Sequence, residues 1–565
     1  MHQRSGGQIL VEQLKIHGIE AVFCVPGESY LAALDALYDA ADTIRVIACR
    51  HEGGASFAAE AYGKLTGRPG VCFVTRAPGA TNASIGIQTA YQSSTPMVLF
   101  VGQARRDRMD REAFQELDYR RMFGQMTKWV SQIDDVRRIP EYVSRAFHLA
   151  VSGRPGPVVL ALPEDMLTDQ CAVVDAAPYG RSKASPAPAD MRTLREMLAA
   201  AERPLMIVGL GGWTPEAAMD IRAFAQANNL PTIAAFRSQD LIDNHAEIYI
   251  GVAGVAINPA LARRIKAADF LLVVGARLDE PTTNGYTLVD IPRPRQRMVH
   301  VYPDPDELGR VYQAEVLINA TMPEFAAAAR DLAPLDGSRW AAWARAGRDD
   351  YLKFIEPAPA PGTVNVSQIL TYLRERLPAE TIFTNGAGNY TAWCHRFYEF
   401  SIPRTQVAPL NGTMGYGVPA SIAAKVVHPD RIVISVAGDG CFLMNGQELA
   451  TAIHYGLNII FIVINNNMYG TIRMHQEQRY PGRILGTTLT NPDFAAYAQA
   501  FGAYGEVVTT TEDFPAAFER AVKAERPALL ELQVDPEAVT PTLSLSGMRE
   551  AALAGRPDNV RPETS

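Results

Sequence analysis

The stretch that decides the fold is 431–470, RIVISVAGDGCFLMNGQELATAIHYGLNIIFIVINNNMYG. It contains two apolar runs with a helical pattern between them, which is typical of a βαβ unit. The first run ends in GDG at 438–440 and the second in NNN at 465–467. Both strand ends of a right-handed βαβ unit lie at one edge of the sheet, where open α/β sheets bind ligands. Asp439 and Asn466 are therefore predicted to converge on one point.

These residue types favour a metal and diphosphate site. A carboxylate and an amide oxygen are hard ligands suited to Mg²⁺. Phosphate oxygens can then complete the octahedral coordination of the ion. The glycines beside Asp439 let backbone N–H groups approach an anion, and the helix start that follows favours negative charge. The alternative is a tight Asp-Gly turn with a structural role only. Three consecutive asparagines serve no packing purpose, so the pattern favours function.

The same alternation of strands and helices extends along all 565 residues, a length that suggests three or four domains. Pro, Ala and Gly accumulate at 175–190 and 356–362, which we interpret as linkers. The predicted fold class is α/β, with three doubly wound parallel-sheet domains. The predicted boundaries are 1–174 for the N-terminal domain, 191–355 for the middle domain, 363–540 for the C-terminal domain and 541–565 for a tail.

Composition and charge exclude several classes of protein. The net charge is −8 and there is no Lys/Arg-rich run, so nucleic acid is not an expected partner. The apolar stretch 457–464 is far shorter than the ~20 residues that a membrane helix needs. Residues 1–20 read as an amphipathic helix without the continuous apolar core of a signal peptide, so we expect a cytoplasmic protein. Six scattered cysteines without a CxxC pair are expected to be buried free thiols.

The GDG and NN residues, with the helix between them, resemble the thiamine-diphosphate motif of the decarboxylase and carboligase superfamily. The chain is most similar to the large, catalytic subunits of acetolactate synthases, and it also resembles benzaldehyde lyase. The resemblance covers nearly the whole chain. Its other motifs are VPG at 25–27, RHEGGA at 50–55, PGATN at 78–82, AFQE at 113–116, GRPGPV at 153–158, GAR at 275–277 and GTMGYGVPA at 412–420.

This resemblance implies a pyrimidine-binding, a middle and a diphosphate-binding domain, with thiamine diphosphate and Mg²⁺ as cofactors. The implied metal ligands are Asp439, Asn466 and the Met468 carbonyl. Met414 would bend the cofactor, and Asn389-Tyr390 departs from the Gln-His usual in acetolactate synthases. The residues implied to bind the cofactor are Glu52, Asn82, Gly388, Asn389, Tyr390, Gly412, Met414, Gly438, Gly440, Cys441 and Asn466.

Glu52 is the implied catalytic carboxylate. The thiazolium carbon of thiamine is a very weak acid, so a carboxylate in a desolvated pocket must share a proton with the pyrimidine ring before that carbon can be deprotonated. The alternative is a carboxylate at a helix N-terminus that is favoured by the helix dipole. A zinc site at His51-Glu52 is not expected, because the second His of HExxH is missing.

Three departures make acetolactate formation from two 2-oxo acids doubtful on sequence grounds. Glu164 stands where acetolactate synthases have a Lys, Pro281 stands where they have an Arg that receives the second substrate's carboxylate, and His475 takes the place of a Trp. Losing a cation that pairs with a carboxylate weakens acceptor binding.

Glu28, Gln115 and His475 are candidates for handling protons on the reaction intermediate or its acceptor. Their alternatives are a carboxylate at a helix start, a surface loop residue and an exposed histidine, respectively.

The expected function is cleavage of a 2-oxo acid or 2-hydroxy ketone, with ligation of the acyl-anion equivalent to a carbonyl acceptor. The alternatives are a simple 2-oxo acid decarboxylase, a catalytically silent member with a binding or regulatory role, and a flavin or nicotinamide oxidoreductase. VGLGGW at 208–213 is a weak nucleotide signal, so FAD is possible but not favoured. The family's active sites lie between subunits, so a homodimer or homotetramer is implied.

Overall fold

The computed structural model describes residues 2–555. It confirms the predicted fold class, because parallel sheets flanked by helices occur in the N-terminal, middle and C-terminal parts of the chain. Two compact units are present. Unit 1 comprises 2–353, 400–411 and 422–429, and unit 2 comprises 354–399, 412–421 and 430–555. In the described part of the chain, no helix is both long and apolar enough to cross a membrane.

The N-terminal part of unit 1 contains a six-stranded parallel sheet in the order β3-β2-β4-β5-β7-β6. Its central strands are buried on both faces, which explains their continuous apolar runs. The elements are β1 (Arg4–Ser5), α1 (Gly6–Ile16), β2 (Ala21–Cys24), α2 (Leu31–Asp39), β3 (Arg45–Ala48), α3 (Glu52–Thr66), β4 (Gly70–Val74), α4 (Ala77–Ser93), β5 (Met97–Gln103), α5 (Tyr119–Phe123), β6 (Trp129–Gln132), α6 (Ile139–Val151), β7 (Pro157–Pro163), α7 (Glu164–Thr168) and β8 (Gln170–Cys171).

The middle part of unit 1 contains a second parallel sheet in the order β11-β10-β9-β12-β13-β14. Strand order reverses between β9 and β12, so the crevice at their carboxyl ends is where such a sheet would bind a ligand. The elements are α8 (Pro188–Ala200), β9 (Pro204–Val208), α9 (Pro215–Ala227), β10 (Thr232–Ala234), β11 (Tyr249–Val252), α10 (Pro259–Ala267), β12 (Phe270–Val274), β13 (Arg297–Tyr302), β14 (Val316–Asn319), α11 (Met322–Arg330) and α12 (Ala341–Phe354).

In unit 2, five parallel strands pair in the order β15-β17-β18-β20-β19. The βαβ unit predicted at 431–470 forms β17 and β18, with two short helices between them. The remaining elements of the chain are α13 (Val366–Arg376), β15 (Ile382–Asn385), α14 (Tyr390–Phe397), β16 (Gln406–Val407), α15 (Gly417–Val427), β17 (Val433–Gly438), α16 (Asp439–Phe442), α17 (Leu449–His454), β18 (Ile460–Asn465), α18 (Gly470–Arg479), α19 (Phe494–Ala500), β19 (Tyr504–Val508), α20 (Phe514–Lys523), β20 (Ala528–Gln533) and α21 (Leu545–Ala554).

Both predicted linkers lie mainly in irregular chain, although α8 already begins at Pro188. The domain boundaries themselves stay a prediction. Part of the predicted tail, 556–565, lies outside the described residues, whereas 545–554 forms α21. All six cysteines are free thiols, and five of them are buried.

Candidate active site

Asp439 is the first residue of α16 and directly follows β17. It is only 3% exposed. The Asn491 side chain donates to its carboxylate at 2.8 Å, and the nearby backbone N–H groups of Gly440, Met468 and Asn467 act to lower its pKa. Because β17 and β18 pair in parallel, the turn after β18 lies beside the start of α16. The structure therefore brings the two strand ends together.

Sequence reasoning missed Asn491. Its side-chain nitrogen lies 2.8 Å from the Asp439 carboxylate and 2.9 Å from the side-chain oxygen of Asn465. The side chain of Asn465 in turn donates to the buried carboxylate of Glu531 at 2.8 Å. In the sequence Asn491 shows only a turn signal, in TNPD at 490–493, and nothing there ties it to the GDG or NNN segments.

Asn466 and Met468, the other predicted metal ligands, lie on the turn that follows β18, next to the start of α16. The side-chain oxygen of Asn466 accepts the Met468 N–H at 3.3 Å, and the Met468 carbonyl accepts the Gly470 N–H at 2.9 Å. Asn467 has a φ of +55°, a left-handed conformation that asparagine tolerates better than most residues. The run of asparagines thus makes a tight turn with its oxygens next to a carboxylate.

The chemistry of this group fits Mg²⁺. No Lys, Arg or His side chain of residues 2–555 pairs with Asp439, and burial raises the pKa of its carboxyl against the opposing effect of the donated N–H groups. A bound cation would offset the cost of a buried charge. The described residues contain no cluster of three His, Cys, Asp or Glu side chains that could hold a metal. A metal at Asp439 would therefore use one carboxylate with amide and carbonyl oxygens.

The strand ends of β15 and β17 form a cradle of small residues. These strands are hydrogen-bonded neighbours, and α14 and α16 begin just beyond them. A Cβ on Gly440 would lie 2.5 Å from the ring of Tyr469, and Gly388 has a φ of +143°, which side chains rarely adopt. Gly438, the N-cap of α16, has the ring of Tyr390 3.1 Å from its Cβ position. Two helix starts at adjacent strand ends favour an anion such as a diphosphate.

Asn389 and Tyr390 have side chains that are engaged within unit 2. The Tyr390 hydroxyl accepts the Gly386 N–H at 2.9 Å. The Asn389 side chain donates to the Val539 carbonyl at 3.0 Å and accepts from the Thr471 hydroxyl at 2.8 Å. These contacts fix the wall of the cradle.

The predicted Met414 loop is held beside the start of α16. The Gly415 N–H points at the Cys441 sulfur at 3.3 Å, and the Asn445 side chain donates to the Gly415 carbonyl at 2.9 Å. Gly412 has a φ of +65°, which glycine adopts without strain. Met414 is half-buried on this loop, so it and Cys441 belong to one neighbourhood.

In unit 1, Glu52 is the first residue of α3 and is half-buried. The Asn82 side chain on α4 donates to the Glu52 carboxylate at 2.9 Å. The other carboxylate oxygen lies 3.5 Å from the Cβ position of Gly79. The neighbouring His51 caps α3, because its Nδ1 accepts the Gly53 N–H at 3.0 Å. This is a structural role, as expected from the missing second histidine of a zinc motif.

Within unit 1, the structure brings Glu28 and Gln115 near one segment, the end of β4. Glu28 is exposed in the turn after β2, and that turn contacts Thr75 at the end of β4. Ala77 follows Thr75 by two residues, and its N–H donates to the Gln115 carbonyl. His475 is exposed on α18 in unit 2.

Two of the residues that depart from the acetolactate synthase pattern, Glu164 and Pro281, have defined contacts or positions in unit 1. Glu164, at the position where the resemblance implies a Lys, forms an ion pair with Arg76. Pro281 lies in the turn that follows β12, where the Asp279 side chain accepts the Thr282 N–H at 3.1 Å. The turn thus presents a proline ring at the position where the resemblance implies an Arg.

The crevice of the middle sheet is filled by protein. Trp213 is 8% exposed, and its indole N–H donates to the Gly209 carbonyl at 2.6 Å. That nitrogen lies 3.0 Å from the Cβ position of Gly275, and a Cβ on Gly211 would lie 2.7 Å from the Gly275 Cα. The loops after β9 and β12 therefore touch through their backbones. A diphosphate bound at this crevice would have to displace the Trp213 indole.

A cavity of about 330 Å³ lies next to this crevice in unit 1. Trp213 and Lys64 line it together with Arg237 and Arg404. This volume lies within the roughly 300–1,000 Å³ range of pockets that hold drug-sized ligands.

Comparison with protein families agrees with this geometry. Models of the thiamine pyrophosphate enzymes match three segments of the chain: the N-terminal TPP binding domain over 4–122, the central domain over 191–329 and the C-terminal TPP binding domain over 386–532. The chain belongs to the thiamine pyrophosphate enzyme family.

Its relatives include several acetolactate synthases. The chain is 30% identical over 537 residues to the acetolactate synthase isozyme 2 large subunit of Escherichia coli, covering 94% of this chain and 96% of the relative. It is 31% identical to the acetolactate synthase large subunit of Corynebacterium glutamicum, covering 94% and 87%. The large subunit of Parasynechococcus marenigrum is also 31% identical, with 98% and 91% covered.

Proposed function

We propose that this protein uses thiamine diphosphate and Mg²⁺ to cleave a 2-oxo acid, or a related 2-hydroxy ketone, and ligates the acyl-anion equivalent to a carbonyl acceptor. The observation that carries the proposal is the buried Asp439 carboxylate, which no cation of residues 2–555 pairs and which lies beside the 466–468 turn. Family membership and the acetolactate synthase relatives support the same activity. When bound, thiamine diphosphate supplies a carbon nucleophile and an electron sink for the bond that breaks.

The diphosphate side of the proposed site is formed by the strand ends of unit 2. Asp439, Asn466 and the Met468 carbonyl would hold Mg²⁺. Backbone N–H groups at Gly440 and Cys441 would meet the phosphate oxygens. Residues proposed to line the rest of this side are Gly388, Asn389, Tyr390, Gly412, Met414 and Gly438.

Glu52 is the proposed proton carrier on the pyrimidine side. A half-buried carboxylate that accepts one amide N–H from Asn82 keeps its second oxygen for a proton shared with a ring nitrogen. Asn82 orients the carboxylate at the start of α3.

Gln115 and Glu28 are proposed to handle protons of the donor or acceptor, and the exposed His475 is a third candidate. Pro281 and Glu164 stand where the resemblance implies an Arg and a Lys, so two cations that could pair with an acceptor's carboxylate are missing. We therefore propose an uncharged carbonyl acceptor, such as an aldehyde or ketone, rather than a second 2-oxo acid.

The proposal extends to assembly and location. We propose a homodimer or homotetramer in which the Glu52 side of one subunit and the diphosphate side of another form the active site, and a cytoplasmic location. FAD is not part of the proposal, because Trp213 fills the crevice that the cofactor would need.

The metal site is tested by titrating thiamine diphosphate into Asp439→Asn protein with and without Mg²⁺. We expect Mg²⁺-dependent cofactor affinity to fall by about tenfold or more, because an ionised ligand is lost. Asp493→Asn is the matched control, since Asp493 also begins a helix of unit 2 and caps it through the Ala496 N–H at 2.8 Å. Unchanged Mg²⁺-dependent affinity in Asp439→Asn would contradict the proposed site.

Product analysis separates the alternatives. A carboligase forms a new carbon–carbon bond only when an acceptor is present. A simple decarboxylase releases the aldehyde whatever acceptor is offered. A catalytically silent member binds thiamine diphosphate and consumes no donor.

A further inference from the structure

The loop that carries Gln115 stores backbone strain. Asp110, Glu112 and Gln115 have φ values of 62°, 54° and 62°, in the left-handed region that non-glycine residues rarely adopt. A residue in this region is strained and persists only where surrounding contacts fix it. Three of them within six residues require strong anchors.

One anchor is the carboxylate of Glu116. It accepts the backbone N–H groups of Asp110 at 2.8 Å and Ala113 at 2.9 Å. These bonds lower the pKa of Glu116, so the carboxylate is ionised at neutral pH. The anchor closes the loop on itself but does not attach it to the rest of the domain.

The second anchor is the ion pair between Arg76 and Glu164. Arg76 is 8% exposed, and its guanidinium donates to both the Glu164 carboxylate and the Phe114 carbonyl, the latter at 3.1 Å. The next residue along the chain, Ala77, donates its N–H to the Gln115 carbonyl at 3.2 Å. Both peptide carbonyls around Gln115 are therefore held by the segment that follows β4.

The helix α7 also fixes the other end of the loop. Asp165, next to Glu164, accepts from the backbone N–H of Arg106 at 3.0 Å and from its Nε at 2.8 Å. The loop 106–116 is thus tied at both ends to residues 164 and 165. Within residues 2–555 the side-chain amide of Gln115 has no hydrogen-bond partner, so it is available to a ligand.

We propose that Arg76 and Glu164 are positioning residues, which hold the strained loop so that the Gln115 amide meets the reaction intermediate or its acceptor. The acidic residue at 164, where acetolactate synthases have a Lys, then has a defined purpose: it balances the buried Arg76, and Arg76 fixes the loop. This inference depends on the proposed function of Gln115, but the order of the loop can be measured without it.

The first readout is limited tryptic cleavage of the holoenzyme after Arg108 and Arg111, which are exposed in the loop. Glu164→Gln and Arg76→Met are expected to raise the cleavage rate about tenfold, the factor that corresponds to one charge-assisted hydrogen bond. The cleavage rate of Glu164→Lys is expected to exceed that of Glu164→Gln, because the new Lys side chain repels Arg76. Arg76→Lys keeps the charge and should give a smaller increase.

The matched control is Asp350→Asn. Arg264 is 10% exposed at its side chain, as Arg76 is, and it likewise donates to one carbonyl, of Trp343, and one carboxylate, of Asp350. Asp350→Asn is expected to leave loop cleavage at the wild-type rate, even where it lowers the melting temperature as much as Glu164→Gln does.

The second readout is the ratio of ligated product to released aldehyde from one donor with an aldehyde acceptor. We expect this ratio to fall about tenfold in Glu164→Gln and Arg76→Met, in step with loop cleavage. Wild-type cleavage rates in folded variants would overturn the proposal, and so would faster cleavage with an unchanged product ratio. A wild-type protein that binds cofactor but consumes no donor would instead defeat the proposed function, whereas the cleavage assay still decides whether Arg76 and Glu164 hold the loop.

Discussion

The attachment of the C-terminal helix α21 depends on one buried carboxylate, Glu477 on α18. Its side chain is fully buried and accepts from Arg549 of α21 at 2.8 and 2.5 Å. It also accepts from Arg473 at 2.9 Å and from the Gly482 N–H at 2.9 Å. These contacts, with Arg549 the largest, lower the pKa of Glu477 to about 2.

Glu477→Gln keeps the shape and removes the charge that binds two guanidinium groups. An unperturbed Glu has a pKa of about 4.3, so the shift of roughly two units corresponds to about 3 kcal/mol. Because Arg549 is part-exposed, solvent screening reduces this figure, and we expect about 2 kcal/mol. The lost stability should be confined to the attachment of α21. Leu545 and Met548 of this helix pack on Met468, so these apolar contacts remain in the variant.

The assay is tryptic release of the C-terminal segment together with thermal unfolding. The control is Glu519→Gln, which breaks a more exposed pair with Arg376 and should cost less than about 1 kcal/mol. The stabilisation by Glu477 is present above its unfolded pKa and lost as the pH falls through its folded pKa. Detachment of α21 in the wild-type protein, followed with pepsin because trypsin is inactive in this range, should therefore accelerate between about pH 4.5 and pH 2. Equal effects of the two substitutions, or release without this pH dependence, would refute the reasoning.

Three further predictions concern the cofactor sites. Gly440→Ala should weaken thiamine diphosphate binding about tenfold or more, measured by titration, because the new methyl group would lie 2.5 Å from the Tyr469 ring. Asn82→Ala should lower turnover about tenfold with the cofactor still bound, because the Glu52 carboxylate loses its orienting amide, and steady-state kinetics checks this. The purified protein should show no flavin absorbance, and added FAD should not raise its melting temperature; a flavin-dependent increase would contradict the closed crevice at Trp213.

The strands and the central site were predictable because they depend on local patterns. Parallel strands buried on both faces require continuous apolar runs, and β17 and β18 show them. The handedness of the βαβ unit then places Asp439 beside the turn at 465–467. Short edge strands such as β6 and β14 are harder to predict, because four residues with only one buried side chain carry too weak a pattern.

Contacts between residues far apart in the sequence could not be predicted. Arg76 and Glu164 are 88 positions apart, and Asn491 is 52 positions from Asp439. Each is an ordinary polar residue in its own segment, and only the folded sheet makes them neighbours. The hydrogen bond that the Tyr390 hydroxyl accepts from a backbone N–H of unit 2 likewise could not be predicted, because it depends on the conformation of the turn after β15.

Donor turnover tests the central claim most directly. The protein is incubated with thiamine diphosphate, Mg²⁺ and a panel of 2-oxo acids, with and without aldehydes or ketones, and CO₂ and products are identified. The account predicts CO₂ release from at least one donor and a new carbon–carbon bond when an acceptor is present, with both lost in Glu52→Gln. No turnover of any donor by protein shown to hold the cofactor, or unchanged turnover in Glu52→Gln, would contradict it.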